Sequence, residues 1–161
     1  MDKQIRSRIK LTNPWHFLAL GFGSGLAPFM PGTFGTLAGL PFLILIDYIP
    51  MVGFAALTAV FAVVGISICG KTAKDMKVHD HGSIVWDEIV GIMLTFLWIP
   101  LSLSTIVAGF VLFRLFDIVK PWPISILDKN VSGGLGIMID DVVAGIFACG
   151  CLHALVYYSI F

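Results

Sequence analysis

Five carboxylates and two cations stand where this 161-residue chain enters or leaves its apolar stretches, and residues of these types suit metal and phosphate chemistry. Asp87 and Glu88 open an apolar helix within HDHGSIVWDEIVG, residues 79 to 91. Carboxylates there meet the positive end of the helix dipole, which by itself would account for them. Adjacent helical residues project about 100° apart, so at most one of the pair is expected to point squarely at a shared site. In FRLFDIVKPWPI, residues 113 to 124, Arg114, Asp117 and Lys120 follow at three-residue intervals, so Asp117 can reach either cation while the cations diverge around the helix. Pro121 stops that helix just beyond Lys120. Arg114 lies inside the apolar run, where an unpaired charge is costly. Two readings stay open there: a salt bridge with Asp117, or a phosphate clamp in which arginine gives bidentate contact and lysine a point charge. In LDKNVSGGLGIMIDDVVAG, residues 127 to 145, Gly133, Gly134 and Gly136 form a flexible loop and Asp140 with Asp141 open the last apolar span. Helix capping would explain this pair too, but Asp87, Glu88, Asp117, Asp140 and Asp141 together repel one another unless a cation lies among them. Ligands that are all oxygen favour Mg²⁺ or Mn²⁺ over zinc or copper.

A glycine-rich stretch, GFGSGLAPFMPGTFGT at residues 21 to 36, precedes another apolar helix and holds Ser24, Thr33 and Thr36. Glycines allow close backbone approach, and the free N–H groups of a helix start attract anions, so the stretch could cradle a phosphate. A hairpin that bends the chain uses the same residues. No GxxxxGK[ST] occurs, so it is not a Walker loop. His79 and His81 are available as ligands, although loop histidines are commonly just solvated. Cys69, Cys149 and Cys151 sit in apolar surroundings with no CxxC pair and no histidine at zinc spacing, and behave as small core residues.

These residues must be positioned by apolar elements. Hydrophobic residues make up 58% of the chain and charged ones 12%, against about 25% charged in ordinary soluble domains, so the chain is expected to be a membrane protein. Met51 to Gly70, Ile89 to Phe113 and Val142 to Phe161 carry no charge, and each approaches or exceeds the roughly 20 residues that cross a hydrocarbon core. Lys3, Arg6, Arg8 and Lys10 resemble the start of a signal peptide, but the glycine-rich stretch breaks the apolar run behind them, so the N-terminus is expected to be retained. The expected fold is all-α: a single domain over residues 1–161, a polytopic transmembrane helical bundle of about five short spans. Residues 34–49 and 51–71 give the first two. The run 84–116 divides near Pro100 into the third and fourth, and a fifth follows Asp141. This arrangement puts all ten Lys and Arg on one side with Asp47 alone opposite, a positive-inside pattern that makes the loaded face cytoplasmic. An alternative with three spans plus interfacial helices keeps Ile89 to Phe113 as one kinked helix, and would put Arg114 and Asp117 across the membrane from Asp87 and Glu88. With zero formal net charge and no basic run beyond the first ten residues, a nucleic-acid partner has no electrostatic support.

The blocks GFGSGLAPFMPGTFGT, DHGSIVWDEIVG, FRLFDIVKPWPI and GGLGIMIDDVVAG, in this order over residues 21 to 145, resemble the phosphatidylglycerophosphatase A family. The resemblance implies a Mg²⁺-dependent integral membrane phosphatase of phosphatidylglycerol synthesis, in the bacterial inner membrane with a phospholipid substrate. It also implies that Asp80, Asp87, Glu88, Arg114, Asp117, Lys120, Asp140 and Asp141 fall on motif positions. Where the motif commonly carries proline after the first aspartate this chain has His81, which therefore has no family support as a functional residue. The expected site has Asp87, Asp117 and Asp141 as metal ligands. Arg114 and Lys120 hold the phosphate, with Ser24 and Thr33 as further contacts, and Glu88 or Asp140 acts as general base or orients the ligands.

Two other classes were weighed. A small transporter or channel subunit would need a relay of ionisable residues deep in its spans, and only His153 lies well inside one. Other lipid-headgroup enzymes carry DGxxAR…GxxxD, PSGH or DxDxT signatures, none of which occurs here.

Overall fold

The computed structural model describes residues 3–78 and 81–158, and among these every regular element is helical. Two short helices, α1 (Lys3–Arg8) and α2 (Pro14–Ala19), precede a 3₁₀ stretch, Gly21–Leu26. Then come α3 (Pro31–Leu43), α4 (Met51–Met76), α5 (Trp86–Thr95), α6 (Leu103–Val119), α7 (Ile124–Asn130) and α8 (Gly133–Tyr157). Local chemistry sets several boundaries. Asn13 caps α2 by accepting from the Trp15 N–H at 3.0 Å, and Pro14 and Pro31 occupy first-turn positions that need no N–H donor. Ser102 and Thr105 form a reciprocal capping box that starts α6, and Lys120, with φ +44°, ends it in a left-handed turn.

α4 and α8 are long and apolar enough to cross a membrane. The apolar run expected to divide near Pro100 does so: α5 ends at Thr95, the chain turns over residues 96–102, and α6 returns. Contacts along the helices fix their directions. Gly91 of α5 meets Asp141 and Gly145 of α8, whereas Phe113 of α6 meets Gly91 and Gly109 meets Leu152. α5 therefore runs with α8 and α6 runs against both. α4 also opposes α8, since Gly70 meets Gly134 and Gly65 meets Met138. α3 runs with α5, Gly32 facing Glu88 and Gly39 facing Ile89 and Ile92. The kinked single helix of the three-span alternative is thus replaced by an antiparallel hairpin.

One expectation needs correcting. The glycines at 133, 134 and 136 do not form a loop before the last helix; they are its first turn, so Asp140 and Asp141 lie about two turns inside α8. Packing overrides the low helix propensity of glycine here, because a β-carbon on Gly134 would collide with the Ile66 carbonyl of α4.

α5 occupies the centre, with residues 84–93 buried. Its start is tied down by the Val85 N–H donating to the Ala19 carbonyl at 2.8 Å and by the Trp86 indole donating to the Phe61 carbonyl at 3.0 Å. The Phe61 and Trp86 rings lie 5.1 Å apart, joined to Phe22 and Phe42 in one aromatic cluster. Across α5 and α8, a β-carbon on Gly145 would stand 2.6 Å from the Gly91 carbonyl oxygen. Because backbone and not a movable side chain blocks that space, Gly145→Ala is expected to destabilise the bundle by about 1–3 kcal/mol. A lowered thermal midpoint in detergent checks this, and an unchanged one would show slack in the α5–α8 crossing.

Candidate active site

The ends and inner turns of four helices meet in one acidic pocket. Asp87 and Glu88 enter from the first turn of α5, Asp141 from inside α8, Arg114 and Asp117 from the last turns of α6, and Gly32 from the start of α3. One oxygen from each of Asp87, Glu88 and Asp141 lies within 4.8 Å of the other two, and all three residues are buried, Asp141 being only 3% exposed. Both members of the Asp87–Glu88 pair therefore reach the site, against the expectation that one would turn away. The longer glutamate side chain spans the angular offset. Glu88 Oε2 and Asp141 Oδ2 are buried with no hydrogen-bond partner among the described residues.

Arg114 supplies the positive charge. Its Nη1 lies 2.6 Å from Asp117 Oδ2, 3.8 Å from Glu88 Oε1 and 3.4 Å from the hydroxyl of Thr36, while its Nε is buried without a partner among the described residues. The salt bridge with Asp117 is present, and the guanidinium keeps an unused donor. Asp117 also meets the Asp141 carboxyl group, so it borders the three-carboxylate cluster. Contact between Arg114 on one hairpin arm and Glu88 on the other puts these residues at one end of the bundle.

Lys120 behaves differently from expectation. Its ammonium is held between Asp128 Oδ1 and Asp140 Oδ2, each at 2.5 Å, so it is engaged by two carboxylates and is not directed at the cluster. Lys120 is the left-handed C-cap of α6, at φ +44°. Burial disfavours its charge, but hydrogen bonds to Asp128 and Asp140 outweigh that and hold the ammonium above the ordinary lysine range. Asp140 faces Lys120 while Asp141 faces the cluster, the two projecting about 100° apart on α8.

Of the glycine-stretch residues, Ser24 is placed with its hydroxyl buried beside Gly21, on the side of the 3₁₀ stretch that packs on Val85, with no partner among the described residues. Thr33 is half-buried in the first turn of α3. Thr36, one turn further, is the residue that meets Arg114, and it also donates to the Gly32 carbonyl at 2.9 Å. His81 accepts from the Ser83 N–H at 3.2 Å and shapes the turn before α5. His79 and Asp80 lie outside the described residues. His153, weighed as part of a relay, contacts the Leu97 carbonyl at 3.0 Å. Sequence reasoning passed over Asp128, whose partner lies across the Pro121–Pro123 turn, and Gly32. A β-carbon on Gly32 would overlap Glu88 Oε1 and stand 3.1 Å from both terminal nitrogens of Arg114.

Comparison with known proteins agrees with the motif order. The sequence profile of the family described as phosphatidylglycerophosphatase A matches residues 17–156. A phosphatidylglycerophosphatase A of Escherichia coli K12 is 50% identical over 149 residues, covering 92% of this chain and 87% of the relative. One from Haemophilus influenzae is 48% identical over 155 residues, covering 95% of each. No solved structure matches the chain.

The close approach at Gly32 gives a test of the pocket. Gly32→Ala is expected to push Glu88 away from Arg114 and to lower turnover at this pocket about 100-fold, the usual effect of ångström-scale misplacement. Steady-state rates against wild type check it, and a rate within threefold would mean the Glu88–Arg114 geometry is unimportant.

Proposed function

The chain belongs to the phosphatidylglycerophosphatase A family, and from that membership we infer that it hydrolyses the terminal phosphomonoester of phosphatidylglycerophosphate, releasing phosphatidylglycerol and inorganic phosphate. The observation that carries the assignment of the site is the convergence of Asp87, Glu88 and Asp141 within 4.8 Å beside Arg114.

The donor set fits Mg²⁺. It consists of oxygens only, and two of them, Glu88 Oε2 and Asp141 Oδ2, are buried without a hydrogen bond among the described residues, which is costly unless a cation meets them. Asp87, Glu88 and Asp141 would hold the ion, with Asp117 completing the set from its place beside Asp141. A divalent cation supplies neutralisation of phosphoryl oxygens and a lowered pKa for bound water. Arg114, through its terminal nitrogens and its unused Nε, takes the non-bridging phosphate oxygens, with Asp117 fixing the plane of the guanidinium. Thr36 steadies Arg114 from the α3 side. A carboxylate of the cluster accepts the proton of the attacking water, in-line with the departing lipid hydroxyl. Lys120 and Asp140 serve as positioning residues: the pair locks the turn of α8 from which Asp141 projects.

For the membrane, we propose the five-helix arrangement α3, α4, α5, α6 and α8, alternating in direction, in the inner membrane with the acidic pocket at the cytoplasmic face. The lysines and arginines support that orientation. α5, about 15 Å long at 1.5 Å per residue, falls short of a full crossing but is enclosed by its neighbours and needs no lipid-facing length of its own.

Phosphate release from phosphatidylglycerophosphate and from phosphatidate, in detergent micelles with Mg²⁺ present or chelated, tests the reading. The expected result is release from the first lipid that stops on chelation. Asp87→Asn and Asp141→Asn should each lose more than the roughly 10–100-fold typical of outer-shell partners. Full activity in chelator would overturn the Mg²⁺ assignment, and no release from either lipid would overturn the reaction. Lys120→Gln is expected to lower kcat about tenfold with KM little changed, and Lys120→Arg to restore most of it. Failure of Arg to rescue would remove the positioning role.

A further inference from the structure

A cavity of about 510 Å³ opens on the exposed face of the C-terminal half of α4, lined by Trp15, Ile66, Gly70, Lys71, Lys74 and Gly134 among others. None of its lining residues belongs to the carboxylate cluster. Gly134 precedes Asp141 by seven residues on α8, about 10 Å along the axis. Two exposed ammonium groups give the cavity its character. Lys71 Nζ lies 5.5 Å from the centre of the Trp15 ring, and neither Lys71 nor Lys74 has a carboxylate partner among the described residues. Asp75 also lines the cavity, but its carboxylate is engaged by His16 at 3.1 Å.

Two apolar troughs continue from this cavity along α4. One, of about 140 Å³, lies between α4 and α8 and shares Ile66 with the cavity, running past Ala62, Leu135 and Met138. The other, of about 260 Å³, lies between α2 and α4 and shares Trp15, running past Leu18, Val64 and Ile68. A cationic cavity at the end of a membrane-length helix, with an interfacial tryptophan and two apolar troughs leading from it, matches the shape and chemistry of one molecule: a phosphate-bearing headgroup with two acyl chains. Inorganic phosphate would use only the lysines and leave both troughs unfilled.

We propose that this groove binds an anionic glycerophospholipid at a second site, apart from the acidic pocket, with its phosphate on Lys71 and Lys74 and one acyl chain in each trough. The inference rests on the membrane placement proposed above and is independent of the reaction assigned to the acidic pocket. A lipid held there bridges α2, α4 and the first turn of α8.

Native mass spectrometry of the full chain in a neutral detergent, with phosphatidylglycerol, phosphatidylcholine or inorganic phosphate added, tests it. The work is done in an Arg114→Gln background, so that lipid retained by the acidic pocket is not counted. The expected result is retention of one phosphatidylglycerol, weak retention of phosphatidylcholine, and no displacement by millimolar phosphate. Lys71→Gln/Lys74→Gln should weaken phosphatidylglycerol roughly thirtyfold, the product of two interfacial lysines, and leave phosphatidylcholine unchanged. Ala62→Trp, which fills the α4–α8 trough, should weaken it as well. Undiminished phosphatidylglycerol binding by the double-lysine variant, or equal binding of phosphatidylcholine, would overturn the headgroup assignment. Undiminished binding by Ala62→Trp would overturn the placement of the chains, and displacement by phosphate would reduce the site to a simple anion site. Phosphate release by the double-lysine variant with Arg114 intact should stay within twofold of wild type; a loss as large as that of Asp87→Asn would overturn the separateness of the two sites. Release of the protein from membranes by alkaline carbonate would instead defeat the membrane placement, an outcome distinct from both.

Discussion

Buried negative charge at close quarters is the constraint on which the rest of this structure depends. Asp87, Glu88 and Asp141 present oxygens within 4.8 Å of one another inside a bundle whose core is mostly apolar. Ionised carboxylates at that spacing repel strongly in a low dielectric, and each also pays for lost hydration. Such a group persists only where folding energy from elsewhere holds it together. Here that energy comes from packing of α5 against α3, α4 and α8, and from Trp86, whose ring sits in an aromatic cluster immediately before the acidic pair. The apolar length of α5 anchors the element, and its first turn carries the strain.

The helix directions follow from the same requirement. Residues 32, 88, 114 and 141 can meet only if two helix starts, a helix end and an inner turn lie at one level. The hairpin at residues 96–102 and the alternating order of α3, α4, α5, α6 and α8 achieve this. Close crossings make it compact: with glycine at 91 and 145 the backbones of α5 and α8 approach nearly to contact, which draws Asp141 toward Asp87 and Glu88. Lys120 then separates the two aspartates at 140 and 141 by function. The residue on its side becomes part of an ion-pair network with Asp128, and its neighbour is left facing the cluster.

Much of this was legible in the residue order, and the exceptions have physical causes. Asp87, Glu88, Arg114, Asp117 and Asp141 stand out because charge amid long apolar runs needs a reason, and the break near Pro100 follows from a run too long for one crossing. The start of α8 was not legible, because three glycines in four residues carry low helix propensity and only the contact with α4 makes them helical. The ion pairs of Lys120 with Asp128 and Asp140 were not legible, because it closes α6 in a left-handed turn that spacing along the helix does not foretell. Asp128 and Gly32 were invisible for a common reason: their importance lies in partners distant in sequence, a lysine across a proline turn in one case and a glutamate on another helix in the other.

Charge imbalance in the pocket has a further consequence for how it meets its substrate. Arg114 and Lys120 face Asp87, Glu88, Asp117, Asp128, Asp140 and Asp141, and Lys120 is already occupied by two of these. A phosphomonoester carries nearly two negative charges near neutral pH, so the side chains alone present it with a repulsive field that one guanidinium does not offset. On the proposed reading, cation and phosphate would enter this site as mutually dependent ligands, each lowering the electrostatic cost of the other. Under the membrane placement proposed above, such coupling would make the pocket selective among anionic lipids. On that reading a phosphodiester headgroup would bring less charge to share with a cation and one fewer terminal oxygen for Arg114, so the same imbalance would discriminate against the product once the terminal phosphate has gone.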